Sequence, residues 1–364
     1  MNFSRQHLFN RNDNHHLKQT RILAGLFCMW VLVLGNCSRS SEPALPETSF
    51  SGFTMGTTYH IRIVDTVLTD LQARRLHQDV DSLLLTINLS MSTYIDSSEI
   101  SRFNQSTETI PQPVSKPLAD VLKTSLEIGH SSGGALDITV LPLVNFYGFG
   151  HESGARHLPT EPELNSLKAL VGLQHLVVTD TTVQKKISPL KLDLGAVAKG
   201  YGVDAVGQFL TAVKIENFMV EIGGEVLARG VNSRGQSWKI GIDRPLFDQQ
   251  PGRQLQHVVQ LENMAIATSG DYRNYREMDG KRISHTIDPR SGKPIEHHLA
   301  AVSIIAPMCM IADASATAVM VLGEDAGLKW IESRPNIEGL IIVREADQTF
   351  REIQTSGFSQ YIVD

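Results

Sequence analysis

The stretch Lys191–Leu210, KLDLGAVAKGYGVDAVGQFL, constrains this chain more than any other. Leu192 and Leu194 alternate with Asp193 as at the end of a strand, and Gly195 breaks the alternation. Val203, Val206 and Leu210 then recur at helical spacing. Asp193 and Lys199 therefore flank a small-residue turn that opens a helix, and Gly195 and Ala196 keep that turn thin enough for a ligand to reach the backbone. An ordinary strand-turn-helix with a surface lysine has the same pattern. A second segment, Asp313-Ala-Ser-Ala-Thr317, tips the balance. It sets a carboxylate and a hydroxyl at i and i+4 on one helical face, where no core needs them.

The remaining chain mixes hairpins and helices without strict alternation, which points to an α+β fold with mixed, largely antiparallel sheets rather than a doubly wound sheet. Tyr59, Ile61 and Ile63 share one face of a strand, and the apolar residues from Leu68 to Ile87 mark an amphipathic helix. Ser98–Asn104 reads as a short helix, and Ser115 caps another that runs to Gly133-Gly134. Thr160-Glu-Pro-Glu163 combines a capping box with a first-turn proline. Phe218–Ile222, Gly223-Gly224 and Glu225–Ala228 read as a hairpin. Strands are also expected at Trp238–Ile242, Val258–Leu261, from Met264 towards Asp271, from Ser284 towards Pro289, at Ala300–Ile305 and at Leu340–Val343. Asp313–Leu322 reads as a helix ended by Gly323, and residues 151–159 as a polar surface loop.

The N-terminus has a different character. Arg5, Arg11, Lys18 and Arg21 precede thirteen mostly apolar residues, Ile22–Leu34, a length that suits a signal-peptide core better than a membrane span. Leu34-Gly-Asn-Cys37 resembles a bacterial lipobox, although Asn36 stands where Gly, Ala or Ser is usual. This predicts a lipoprotein signal peptide at 1–36, acylation at Cys37, a flexible tether at 37–49 and a folded domain at 50–364 on the periplasmic side of a bacterial membrane. An uncleaved N-terminal anchor is the alternative. Of three cysteines, Cys28 lies in the apolar run and Cys309 is left alone, so no intrachain disulfide is expected. Cleavage would remove four basic residues and one acid, taking the net charge from −6 to −9. That balance argues against nucleic acid as a partner.

Asp193, Asp313, the Thr317 hydroxyl and a turn carbonyl at Ala196 form an inventory of hard oxygen donors suited to Mg²⁺, not zinc. His297-His298 read as surface residues. His285, with Asp288 three residues on, has the makings of a general base, or of an ordinary histidine beside a turn starter. Phe146, Tyr147 and Phe149 suit either a ring-binding wall or core. The residues alone carry the argument as far as metal-assisted chemistry on a phosphate ligand.

The segments MGTTYHI, STYIDSSEISRFN, GALDITVLPLVNFYGFG, LDLGAVAKGYGVD, VEIGGEV, ATSGDYRNY, SHTIDPRSGKP and DASATA occur in this order between about residues 50 and 345. Together they resemble the ApbE family of periplasmic FAD:protein FMN transferases. The resemblance implies an α+β fold with FAD in a cleft between two lobes and Mg²⁺ on its pyrophosphate. It also implies that Met55, Tyr94, Ala135, Leu136, Asp137, Asp193, Lys199 and Ile287 contact FAD. The metal would take the Ala196 carbonyl, Asp313 and Thr317, and His285 would be catalytic, with Asp288 beside it. Tyr94 resembles the transferase members, since relatives that mainly hydrolyse FAD tend to carry asparagine there. The implied reaction moves FMN from FAD, as substrate, to a threonine of an exported or membrane redox subunit, such as one of the Na⁺-translocating quinone reductase or its Rnf relatives. The rival expectations are a FAD pyrophosphatase and a non-catalytic flavin-binding lipoprotein.

Overall fold

Eight strands form one antiparallel sheet whose spatial order follows their order in the chain. They are β1 (Glu47–Thr54), β2 (Thr57–Val64), β3 (Asn217–Ile222), β4 (Glu225–Arg229), β5 (Met264–Gly270), β6 (Leu299–Ala306), β7 (Glu338–Arg344) and β8 (Phe350–Gln354). The computed structural model describes residues 44–152, 154, 157–246, 254–271, 275–278 and 280–363. The expected signal peptide and Cys37 lie outside them. The expected tether ends sooner than residue 49, because Glu47, Thr48 and Ser49 already pair with Val64, Ile63 and Arg62.

Two hairpin turns fix one end of the sheet. Met55-Gly56 joins β1 to β2 with φ of 50° and 75°, and Gly223-Gly224 joins β3 to β4 with φ of 62° and 104°. Positive φ at both turn positions matches the right-handed twist of the flanking strands, which explains the glycines and makes Met55 unusual. Tyr59 pairs with Ile222, so the turns lie side by side, and the Gly223 N–H donates to the Thr58 carbonyl at 3.1 Å.

The long excursion between β2 and β3 holds helices α1 (Asp70–Met91), α2 (Glu99–Gln105), α3 (Lys116–Ser131), α4 (Leu141–Phe146), α5 (Glu161–Lys168) and α6 (Ala198–Ala212). Ser115 and the Thr160–Glu163 box cap their helices as the sequence predicts, and Ser98, expected inside its short helix, is the N-cap of α2. Helices α7 (Cys309–Leu322) and α8 (Glu324–Glu332) connect β6 to β7. α7 starts one turn earlier than the sequence suggests, at Cys309, which puts Asp313 inside the helix rather than at its mouth.

Helices α6 and α7 cover one face of the sheet, where Val203, Val206, Val319 and Met320 join Val220, Ala267 and Ile304 in the main core. On the other face Trp238, Ile242, Val259 and Leu261 of a separate hairpin pack on Val226, Ile305 and Ile342. Both faces are thus dry, and all eight residues of β6 are buried. Burial on that scale, at about 25 cal/mol per Å² of apolar surface, is the main stabilising contribution. Cys309 is a free, buried thiol. Pro43–Asp364 forms one compact unit.

Leu192–Leu194 is not a strand end. The Asn104 side chain takes the place of a neighbouring strand: its Nδ2 donates to the Leu192 carbonyl at 2.8 Å and its Oδ1 accepts the Leu192 N–H at 2.7 Å. The Asp193 N–H then donates to the Ile138 carbonyl at 2.7 Å. One amide satisfies both backbone groups, so the apolar alternation persists without a ladder.

Candidate active site

The site is built where α6 and α7 meet. Each helix lends a carboxylate to the start of the other. Asp204 of α6 accepts the Cys309 and Met310 N–H groups at 2.8 Å each, and Asp313 of α7 accepts the Gly200 N–H at 3.0 Å. Both anions sit at a positive helix end with unpaired N–H donors. The contact is close because residue 200 is glycine: a Cβ there would lie 2.5 Å from the Cys309 carbonyl oxygen. Burial, against the pull of those two N–H groups and with Asp313 nearby, raises the Asp204 carboxyl to about 6.

Lys199, one residue before Gly200, carries its ammonium 2.8 Å from Glu225 Oε1 and 3.7 Å from Asp313 Oδ1. Burial by itself would lower the Lys199 pKa, but the Asp313 and Glu225 charges outweigh it and hold it above the usual lysine range. Glu225 is 4 % exposed and stands at the first position of β4, right after the Gly223-Gly224 turn. Burial raises its carboxyl to about 7, with the Asp313 charge adding to the rise and Lys199 opposing it. Its Oε2 is buried and has no hydrogen-bond partner among the described residues.

The oxygen inventory fits a hard divalent cation. The Gly200 N–H turns to Asp313 rather than to the Ala196 carbonyl four residues back, which leaves that carbonyl open to a ligand. Thr317, one turn beyond Asp313, shares a 3.2 Å hydrogen bond with the Ser269 hydroxyl at the end of β5. Among the described residues no three His, Cys, Asp or Glu side chains gather as a metal site. A cation here would draw on one carboxylate, a carbonyl and a hydroxyl, leaving positions for water and phosphate oxygens as Mg²⁺ prefers.

A second wall is aromatic. Tyr94, 70 % exposed, donates from its hydroxyl to the Phe149 carbonyl at 3.5 Å. Its ring lies edge-on to His151 at 6.1 Å, and the Phe149 ring lies edge-on to His285 at 6.2 Å. Phe149 thus bridges Tyr94 and His285. Tyr147 is core, with its hydroxyl on the Gly292 carbonyl at 3.1 Å. Burial and the Asp193 charge both raise the Tyr94 pKa. Asp193 accepts the Gly195 N–H at 2.7 Å, and burial raises its carboxyl against that bond and His151. Asp193 thus holds the turn that precedes α6, and Asp313 holds the Gly200 N–H in its first turn. Met55 reaches the same helix, since a Cβ on Gly202 would lie 2.9 Å from the Met55 methyl.

A third group lies beside α3. Ala135 and Leu136 are buried, and Asp137 accepts both the N–H and the hydroxyl of Thr139, at 2.7 and 2.5 Å. Asp137 lines a cavity of about 490 Å³ with Gly133, Gly134, Lys168 and Arg290. Ile287 is 6 % exposed and packs with Leu143, Tyr147 and Ile283, so its side chain sits inside the wall.

Two expectations need correction. The Asp288 carboxylate does not orient His285. It accepts the Arg290 N–H and Nε at 2.9 Å each and Nη2 at 3.1 Å, because the Asp-Pro-Arg turn folds the guanidinium back onto it. Of the His297-His298 pair only His298 is exposed; burial lowers the His297 pKa. Sequence reasoning also passed over Glu225, Asp204 and Asn104 as functional groups. The one available signal was a carboxylate beginning a strand whose next residue, Val226, is core.

The chain is similar in sequence and fold to known proteins. The profile described as "ApbE family" matches residues 55–341. A protein of Vibrio cholerae serotype O1 named FAD:protein FMN transferase is 42 % identical over 333 residues, covering 91 % of this chain and 96 % of that protein. The Haemophilus influenzae protein of the same name is 37 % identical over 346 residues, covering 93 % and 98 %. The solved structure of the Vibrio cholerae flavin transferase ApbE superposes with a TM-score of 0.79 at 41 % identity, covering 87 % of this chain and 99 % of that one.

Proposed function

Because the chain belongs to the ApbE family, we propose that the α6–α7 crossing is where it acts as a FAD:protein FMN transferase, with FAD as substrate and a protein hydroxyl as acceptor. The observation that supports this placement is the Gly200–Asp313 hydrogen bond of 3.0 Å, which holds Asp313 against the first turn of α6 with the Lys199 ammonium 3.7 Å away.

In this reading the FAD diphosphate lies over the start of α6. Lys199 meets its negative charge, and Asp193, Met55 and Tyr94 hold the nucleotide on either side. Asp313, Thr317 and the Ala196 carbonyl would hold Mg²⁺, which when bound supplies positive charge to the diphosphate oxygens. The acceptor is a threonine of an exported or membrane redox subunit, of the Na⁺-translocating quinone reductase or Rnf kind. Its hydroxyl oxygen attacks the FMN-side phosphorus. A new P–O bond forms, the bond to AMP breaks, and FMN remains as a phosphoester. His285 takes the hydroxyl proton. Its ring stands beside Phe149, on the wall that also carries Tyr94. Catalysis of this kind is mainly positioning and electrostatics, which suits a site assembled from turns and helix starts.

Residues 1–36 act as an export signal and Cys37 as the lipid-bearing residue, leaving the enzyme tethered on the periplasmic side. Among the described residues no helix is long and apolar enough to cross a membrane.

The test is incubation of the purified protein with FAD, Mg²⁺ and a threonine-bearing acceptor. A fluorescent flavin–acceptor adduct and one AMP per adduct are expected. AMP and free FMN without adduct would assign the site to hydrolysis, and binding without AMP would assign it to flavin storage.

A further inference from the structure

Lys199 has two carboxylates within reach and pairs closely with only one. Its ammonium is 2.8 Å from Glu225 Oε1 and 3.7 Å from Asp313 Oδ1, so Asp313 is near it but outside hydrogen-bond range. The other Asp313 oxygen is held by the Gly200 N–H. Asp313 Oδ1 is therefore in ionic contact with the lysine without a hydrogen bond to it. Glu225 is buried at 4 % exposure, and its second oxygen, Oε2, has no hydrogen-bond partner among the described residues. A buried carboxylate with an unmet oxygen is costly. With both carboxylates ionised, two anions face one ammonium and the cluster is one positive charge short.

We propose that Glu225 is a positioning residue that holds the Lys199 ammonium off Asp313 and so keeps Asp313 open to a divalent cation. With Glu225 ionised, Lys199 has a partner on the sheet side and the cluster keeps a net negative charge that attracts the cation. Without it, Lys199 and Asp313 form a neutral one-to-one ion pair, and a cation must displace the ammonium before it can bind. The backbone favours this division of labour. The Gly223-Gly224 turn brings Glu225 under α6, and a Cβ on Gly223 would already be 3.4 Å from Lys199 Cδ, so the lysine stem lies along the turn. Glu225 acts through Lys199 and need not touch FAD.

This inference rests on the metal placement proposed above, and its test separates the two. Mn²⁺ binding to the full chain without FAD is followed by electron paramagnetic resonance for wild type, Glu225→Gln, Lys199→Met and Lys199→Met/Glu225→Gln. Glu225→Gln is expected to weaken Mn²⁺ binding about tenfold or more, a change of about 1.4 kcal/mol. The double variant is expected to recover wild-type affinity or better, because the ammonium that blocks Asp313 is gone. A merely structural Glu225 would show no such recovery. Unchanged Mn²⁺ affinity in Glu225→Gln, or a double variant as weak as the single one, overturns the inference. Wild type that binds no Mn²⁺ overturns the metal placement itself. Should Glu225→Gln fail to fold, Glu225→Asp answers the same question: its shorter side chain draws the ammonium back from Asp313, so affinity is expected to equal or exceed wild type, and a fall overturns the inference.

Discussion

Gly200 leaves no room for a methyl group. A Cβ there would lie 2.5 Å from the Cys309 carbonyl oxygen and 2.7 Å from Met310 Cα, both backbone atoms that cannot swing aside. Gly200→Ala is therefore expected to cost about 1–3 kcal/mol by prying α6 from α7, a loss visible as a lower calorimetric melting temperature. An unchanged melt would contradict the crossing. Asn104 makes a second prediction at this scale. Asn104→Ala leaves both backbone groups of Leu192 unpaired, at about 1–3 kcal/mol each when buried. Because Asp193 follows directly, FAD binding measured by flavin fluorescence should weaken as well; wild-type FAD affinity would show that Asp193 does not depend on the clamp. Asp313 and Thr317 were legible in sequence because two polar residues at helical spacing stand out in an apolar run. Glu225 was not, since a carboxylate after two glycines looks like an exposed strand start. Asn104 was not either, because its partner is 88 residues away. Nor does a His-x-x-Asp spacing disclose that Arg290 will claim the aspartate.

At the scale of elements, helix ends carry most of the organisation. The capping signals at Ser115 and Thr160 were readable because each cap bonds within its own turn. The exchange of Asp204 and Asp313 between α6 and α7 was not, because it depends on how two distant helices cross. Lys185 illustrates the same limit. Its side chain is fully buried and donates to the Ser106 carbonyl at 2.7 Å and the Asn104 carbonyl at 3.3 Å, at the negative end of α2. Burial, with the Lys191 charge adding, lowers its pKa to about 8 from 10.5. Between those values the unfolded chain holds the proton and the folded chain has released it, so stability rises with pH across that window. Lys185→Met removes the effect. Denaturant unfolding at pH 7 and pH 10 should show the stability difference between wild type and Lys185→Met moving in favour of wild type at the higher pH. Parallel behaviour would mean that the lysine keeps its proton when folded.

For the whole molecule, one antiparallel meander explains how residues far apart in the chain meet. Each connection between neighbouring strands emerges at an end of the sheet, and the turns at Met55-Gly56 and Gly223-Gly224 share the end where α6 begins. The α+β class followed from hairpins mixed with helices, whereas the strand order did not, because register depends on pairing partners that periodicity does not name. The lost strand at Leu192 has the same cause: alternation reports burial, not a ladder. The central claim is that this end of the sheet is where FMN changes hands. The most direct measurement is in-gel flavin fluorescence of an acceptor subunit treated with FAD, Mg²⁺ and wild type, Asp313→Ala or His285→Ala. Wild type should label the acceptor, and each variant should lose at least about a hundredfold in rate, the typical contribution of a positioned proton acceptor or of charge stabilisation. Labelling by both variants at the wild-type rate would place the reaction elsewhere on the protein.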